Sequence, residues 1–197
     1  MAAHPLALDL ALTIRHDGQG GVADDLQDPT GLTRWVREHA DALAVLPAAD
    51  RFRADDDTLA AVRSVRTAVR SLFARAVPGG PNPSDAQRPL PVESALRSLN
   101  AAAAVVPVVP HLSWPEGGDP TEESRPVGTA SHRDALTAAL ASSAITLLTG
   151  PDRARLRACH APRCVRYFLK EHPRQEWCKQ SCGNRARVAR HHERHRA

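Results

Sequence analysis

The chain has 197 residues, 42% of them hydrophobic and 24% charged, so it can bury a core of its own. Only 4% are aromatic, so that core must be built from Leu, Val and Ala, a composition that leans towards helix because Ala loses no side-chain entropy there. No stretch approaches the roughly 20 apolar residues of a membrane span, and the net charge of +4 is split unevenly, with 13 Lys/Arg and 4 acids in residues 151–197 set against a net acidic remainder.

A basic end on an acidic body suggests that the end meets a polyanion. The first residues, MAAHPLALDLALTIRHDG, have no basic region ahead of the apolar run, and Asp9 interrupts that run. This is a poor secretion signal. Arginine far outnumbers lysine, which occurs only as Lys170 and Lys179 and fits a GC-rich bacterial source. The expected compartment is a reducing bacterial cytoplasm, with no membrane partner.

In chain order, residues 6–14 (LALDLALTI) place Leu6, Leu8, Leu10, Leu12 and Ile14 on alternate positions. Period two argues for a strand with one buried face; Ala and Leu also suit a helix, and the pattern alone does not decide. Asp9 must face solvent or find a hydrogen-bond partner. GQGG at 18–21 reads as a loop. A helix is signalled from Asp28 as cap and Pro29 in the first turn, with Leu32, Trp35, Val36, His39 and Leu43 at helical spacing and Pro47 beyond its end.

A second helix starts near Asp55-Asp56-Asp57, acids that suit the positive end of a helix dipole. Leu59, Val62, Val65, Val69, Leu72 and Phe73 form its apolar stripe, and Arg63, Arg66 and Arg70 are expected to lie off it. PGGPNPSD at 78–85 ends it in a loop. A third helix is expected over 92–104. VVPVVPHLSW (105–114) reads as an edge strand or extended segment. After a loop at 115–124, RPVGTA is expected to pair back with it. A fourth helix spans 132–149, with Leu136, Leu140, Ile145, Leu147 and Leu148 towards the core, and Gly150-Pro151 closes it. That dipeptide is the expected boundary between a helical domain, 1–150, and a module, 151–197, that holds all four cysteines.

The cysteine spacing is Cys159-x4-Cys164-x13-Cys178-x3-Cys182. Two close pairs joined by a hairpin-sized insert are what a tetrahedral four-cysteine zinc site needs, because each pair clamps two corners from one short piece of backbone. RLRAC and RYFLK suit two short strands with CHAPRC as the knuckle between them. A helix starting near Lys179 or Ser181 would bring Cys178 and Cys182 to the metal at its positive end. Gly183 is expected to let the backbone pass close to the metal, and Asn184 to bond the knuckle backbone. Tyr167, Phe168 and Trp177 are expected to pack the small metal core. Two disulfides, a rubredoxin-type iron site, or His160 or His172 in place of one cysteine are the competing readings.

Trp177-Cys178, then Cys182-Gly183-Asn184-Arg185 and a basic helix, resemble the CGNR zinc finger. LALDLALT at 6–13, LTRWVREHADAL at 32–43, the Arg-rich helix at 59–73 and LNAAAAVVP at 99–107 resemble the alanine-rich ABATE domain that accompanies it. The chain departs from that pattern in three places. Leu12 stands where members often have Asn, Lys170 stands where many have an acid, and the last cysteine pair is closely spaced. Members are regarded as stress-induced transcriptional regulators, so the resemblance implies one zinc ion per chain and double-stranded DNA as partner.

From Arg185 on, helical spacing sets Arg187, Arg190, His191 and Arg194 along one side, with Val188 and Ala189 expected towards the finger or the body. Arginine forks suit phosphates and the O6/N7 edge of guanine. Lys179, Arg185, Arg187, Arg190, His191 and Arg194 are therefore the candidate nucleic-acid contacts. Residues 1–150 hold no dinucleotide fingerprint, P-loop, H-E-x-x-H or G-x-S-x-G motif. His111 and Trp114, near a loop, are pocket candidates or plain surface.

The fold expected is mainly α with a few short β-strands: a helical N-terminal domain and a treble-clef-like finger made of a β-hairpin and a helix. The function expected is a zinc-dependent DNA-binding regulator and not an enzyme, with a homodimer and a small-molecule effector as further partners. The rivals are a small-molecule-binding protein or enzyme in which the finger is purely structural, or an RNA-binding module.

Overall fold

The computed structural model describes residues 4–19, 21–43, 46, 48–82 and 90–195. Gly20, Pro47 and residues 83–85 of the expected loops lie outside them. Among the described residues the elements run α1 (Leu6–Leu12), β1 (Ile14–His16), β2 (Val22–Asp24), α2 (Pro29–Glu38), α3 (Asp56–Ala76), α4 (Val92–Ala104), β3 (Val108–Ser113), β4 (Thr121–Pro126), α5 (His132–Thr149), β5 (Leu156–Ala158), β6 (Tyr167–Leu169) and α6 (Gln180–Arg194). The strands form three antiparallel pairs, β1–β2, β3–β4 and β5–β6.

The first stretch is a helix, which resolves the ambiguity of its alternating leucines. Leu6, Ala7, Leu8, Leu10 and Ala11 are all buried, so α1 is apolar on nearly every side and its leucines mark no single face. It packs against α3, α5 and β6. Asp9, the one acid in α1, meets His4 Nδ1 at 2.5 Å and lies 3.7 Å from His39 Nε2. The His4 hydrogen bond raises the imidazole above its usual range, against a smaller opposing effect of burial.

The other helices keep their signalled starts. Asp28 accepts from Gly31 N–H at 2.7 Å, Asp55 from Thr58 N–H at 2.8 Å and Ser131 from Asp134 N–H at 3.1 Å, each capping a helix that begins at the next residue. Among the described residues, the aspartates at 55–57 form no cation cluster. α5 lies centrally and touches α1, α3 and α4, with Ala138, Ala141 and Ala144 buried where helices approach closely. β3 pairs with Thr121–Pro126, earlier than the expected RPVGTA, and the hairpin stands exposed along nearly its whole length. Trp114 at its tip is 70% exposed.

The arginines of α3 do not all lie off the core. Arg66 and Arg70 are 5% and 4% exposed. Arg66 Nη1 and Nη2 donate to Asp24 Oδ1 at 2.6 Å and Oδ2 at 2.7 Å, and Nη1 also reaches Thr13 Oγ1 at 2.9 Å. Arg70 Nη1 donates to the Ala11 carbonyl at 2.7 Å and Nη2 to the Val165 carbonyl at 3.0 Å. Its guanidinium lies 5.2 Å from the centre of the Tyr167 ring. Buried arginines are tolerated because their guanidinium groups find a carboxylate, a hydroxyl and carbonyls to donate to.

Those contacts tie the cysteine module to the helical body. The strand alternation of β6 turns Tyr167 into the large core and Phe168 into a second, smaller cluster with the cysteines. Leu156 and Ala158 of β5 join Tyr167 on the body side. Tyr167 meets Phe73 edge-on, ring centres 5.6 Å apart. The expectation that Tyr167 packs the small metal core is thus corrected; Phe168 and Trp177 do so.

Candidate metal centre and basic helix

β5 and β6 run antiparallel with Leu156 opposite Leu169 and Ala158 opposite Tyr167. The knuckle between them is closed by Cys159 N–H donating to the Arg166 carbonyl and Cys164 N–H to the Ala161 carbonyl, both at 2.9 Å. Arg163 turns the chain at φ 63°, in the left-handed region, which swings Cys164 back beside Cys159. Cys178 precedes α6 and Cys182 is in its first turn, so the second pair arrives at the positive end of a 15-residue helix.

The four sulfurs lie within 4.8 Å of one another. Separations are 3.7 Å for Cys164–Cys178, 3.6 Å for Cys178–Cys182 and 3.8 Å for Cys164–Cys182. Zinc–sulfur bonds of about 2.3 Å in a tetrahedron set sulfurs roughly 3.8 Å apart, so the donor set fits that ion. A disulfide needs about 2.05 Å, and all four cysteines are free. His160 and His172 are exposed and stand outside the cluster.

Four thiols this close cannot all ionise without a cation. Hydrogen bonds from Cys164 and Cys178 bring the Cys159 thiol down to about 2. The same contacts push Cys164 up to about 12 and Cys178 up as well. Arg185 Nη2 donates to the Cys182 sulfur at 3.2 Å, setting a positive charge beside the cluster.

Two expected supporting roles change. A Cβ on Gly183 would stand 3.0 Å from Trp177 Cδ1, so this glycine makes room for the indole. Asn184 is exposed and accepts from Arg187 Nη2; it does not bond the knuckle.

Lys179 at the cap of α6, and Arg187, Arg190, His191 and Arg194 on it, are exposed. At roughly 100° per residue, Arg187, Arg190, His191 and Arg194 share one side of the helix. Arg185 projects elsewhere, half-buried against the cysteines. Val188, expected to turn inward, is 56% exposed, whereas Ala186 is buried. The structure thus brings the four cysteines together and keeps most of the candidate cations on an outer face. Sequence reasoning missed Arg70 as the tie to Val165, beside Cys164; its place on a helix whose partner lay about 95 residues away in the chain left no local signal.

A β-hairpin knuckle and a following helix around four thiols define a zinc finger of treble-clef type, here carried on a helical body. Residues 4–151 match the model of the ABATE family, described as "Putative stress-induced transcription regulator", and residues 155–195 match the CGNR zinc finger. The chain belongs to the ABATE family, with a CGNR zinc finger at its C-terminal side. That finger implies one zinc ion per chain, which also separates zinc from iron on the same four sulfurs. No individual curated protein matches the chain. Among the described residues, no helix is long and apolar enough to cross a membrane.

Proposed function

We propose that this chain is a zinc-dependent DNA-binding regulator of transcription in the bacterial cytoplasm, and not an enzyme. Cys159, Cys164, Cys178 and Cys182 hold the zinc, which fixes the start and direction of α6. Lys179, Arg187, Arg190, His191 and Arg194 then meet double-stranded DNA, with arginine forks on phosphates or guanine edges. The observation that carries this reading is the exposed cationic side of α6 on a helix whose first turn contributes to the thiol cluster. The family description, a transcription regulator, supports it.

The test compares zinc-loaded wild type with an Arg187→Ala/Arg190→Ala pair in genome-wide DNA pull-down and in salt titration of duplex binding. Wild type should enrich defined sites. Losing two phosphate contacts should lower the log–log salt slope by about 1.8. Equal recovery of the same background by both proteins at physiological salt would sink the regulator reading.

A finger of this size covers little DNA, and specific sites usually combine modules. We therefore take a homodimer as the working unit, joined through the β3–β4 arm. Among the described residues both outer edges of that two-stranded hairpin are unpaired, and Val108, Val109, Leu112 and Trp114 are 49–70% exposed on it. An isolated two-stranded hairpin is marginal in water, and pairing with its own copy supplies the missing strand and apolar cover.

A further inference from the structure

A cleft of about 300 Å³ lies between the β1–β2 hairpin of the body and the first turn of α6. Arg15, His16, Asp17 and Gly18 line it from one side, and Cys164, Arg166, Lys179, Ser181, Cys182 and Arg185 from the other. Four of these side chains are cationic, Asp17 is the one carboxylate, and Cys164 and Cys182 bring the edge of the thiol cluster to the wall. Asp17 Oδ1 already accepts from Gln19 N–H at 2.8 Å and Gly21 N–H at 2.9 Å. Arg15 Nε is engaged with Asp25 at 2.8 Å, and Arg185 Nη2 with the Cys182 sulfur. Arg166 and Lys179 make no ion pair among the described residues.

Two further donors point the same way. His16 Nδ1 accepts from Gly18 N–H at 2.8 Å, so in the neutral ring the proton sits on Nε2. His16 Nε2 and Arg185 Nε are both buried, and neither has a hydrogen-bond partner among the described residues. Buried donors are normally satisfied, and both of these residues line the same cationic cleft. The α6 N-terminus adjoins them, and its cap residue, Lys179, offers no side-chain acceptor.

We propose that this cleft binds a phosphate group, and that the group belongs to a nucleic-acid backbone. The DNA interface then includes the body as well as the finger. His16 and Arg185 donate to the phosphate oxygens, while Arg166 and Lys179 supply charge. The choice of source rests on the DNA-binding reading; the phosphate site does not.

The experiment follows the ring ¹⁵N signals of His16 in zinc-loaded full-length protein. The probes are inorganic phosphate and, separately, a short DNA duplex. Wild type, Arg166→Ala, Lys179→Ala and the Arg187→Ala/Arg190→Ala pair are compared at equal zinc content and equal thermal stability. Phosphate should move the His16 signals in wild type and in the α6-face pair. Its affinity should fall roughly tenfold in Arg166→Ala or in Lys179→Ala, the loss of one charge-assisted contact. Movement of the same signals by duplex assigns the phosphate to DNA. Movement by phosphate alone keeps the site but overturns the backbone as its source, while the α6-face pair reports separately on DNA binding. Unmoved signals with both probes, or identical phosphate affinity in all variants, overturn the site.

Discussion

Arg70 illustrates how one side chain can serve two parts of a chain. Its guanidinium joins the end of α1 to the turn beside Cys164, and Tyr167 packs over it. Replacing it by Met keeps the apolar stem but leaves two carbonyls without their donor. Arg70→Met should cost about 2–3 kcal/mol in chemical unfolding of the zinc-loaded protein, and should loosen the finger on the body in hydrogen exchange of residues 156–169. Asp24 makes a comparable prediction with a pH signature. Burial pushes its carboxyl up, but the Arg66 hydrogen bonds and charge outweigh this and hold it below the ordinary carboxylate range. A depressed folded value means that the stabilisation is complete above the unfolded value of about 4 and fades as pH falls through the folded one. Asp24→Asn should therefore destabilise by about 2 kcal/mol at pH 7, and the gap to wild type should close in acid unfolding below about pH 4. At the metal centre, Cys178→Ser should abolish the single zinc in metal analysis of reduced protein. Bound metal at the wild-type level in that variant would remove Cys178 from the ligand set.

Among the elements, α6 depends on Gly183 for its seat. The helix would gain propensity from any larger residue there, but a side chain must displace the Trp177 ring. Gly183→Val should overpack this contact and cost about 1–3 kcal/mol, read as easier zinc removal by a chelator. α1 shows the opposite case, where a local pattern had two solutions. Strict alternation of leucine reads as a strand, yet Ala7 and Ala11 fill two of the three intervening positions, and a helix buried on nearly every side uses both sets. The β3–β4 arm was legible as an extended, proline-containing segment. Its partner began earlier than expected because Thr121–Ser124, polar on both faces, needs no buried side to form a strand. Exposed hairpins follow backbone register more than hydrophobic period.

For the whole molecule, the homodimer carries its own test. Sedimentation should show a dimer that a Leu112→Asp/Trp114→Asp pair converts to monomer with zinc content unchanged. Monomer alone for wild type, free and on DNA, would count against it. Much of the fold was readable in advance because its signals are local. Caps at Asp28 and Asp55, the Gly150-Pro151 stop and the cysteine pairs each act within a few residues. The order of helices, the four thiols and the basic helix follow from such signals, and so does the helical composition. Tertiary structure alone decided which arginines of α3 go inside, that Tyr167 and Phe168 serve different cores, and that the β1–β2 hairpin with His16 faces Arg185 across a cleft. Each of these depends on a partner far away in the chain. Whether a charged side chain is buried turns on the acceptors waiting for it, and no periodicity within a helix records them.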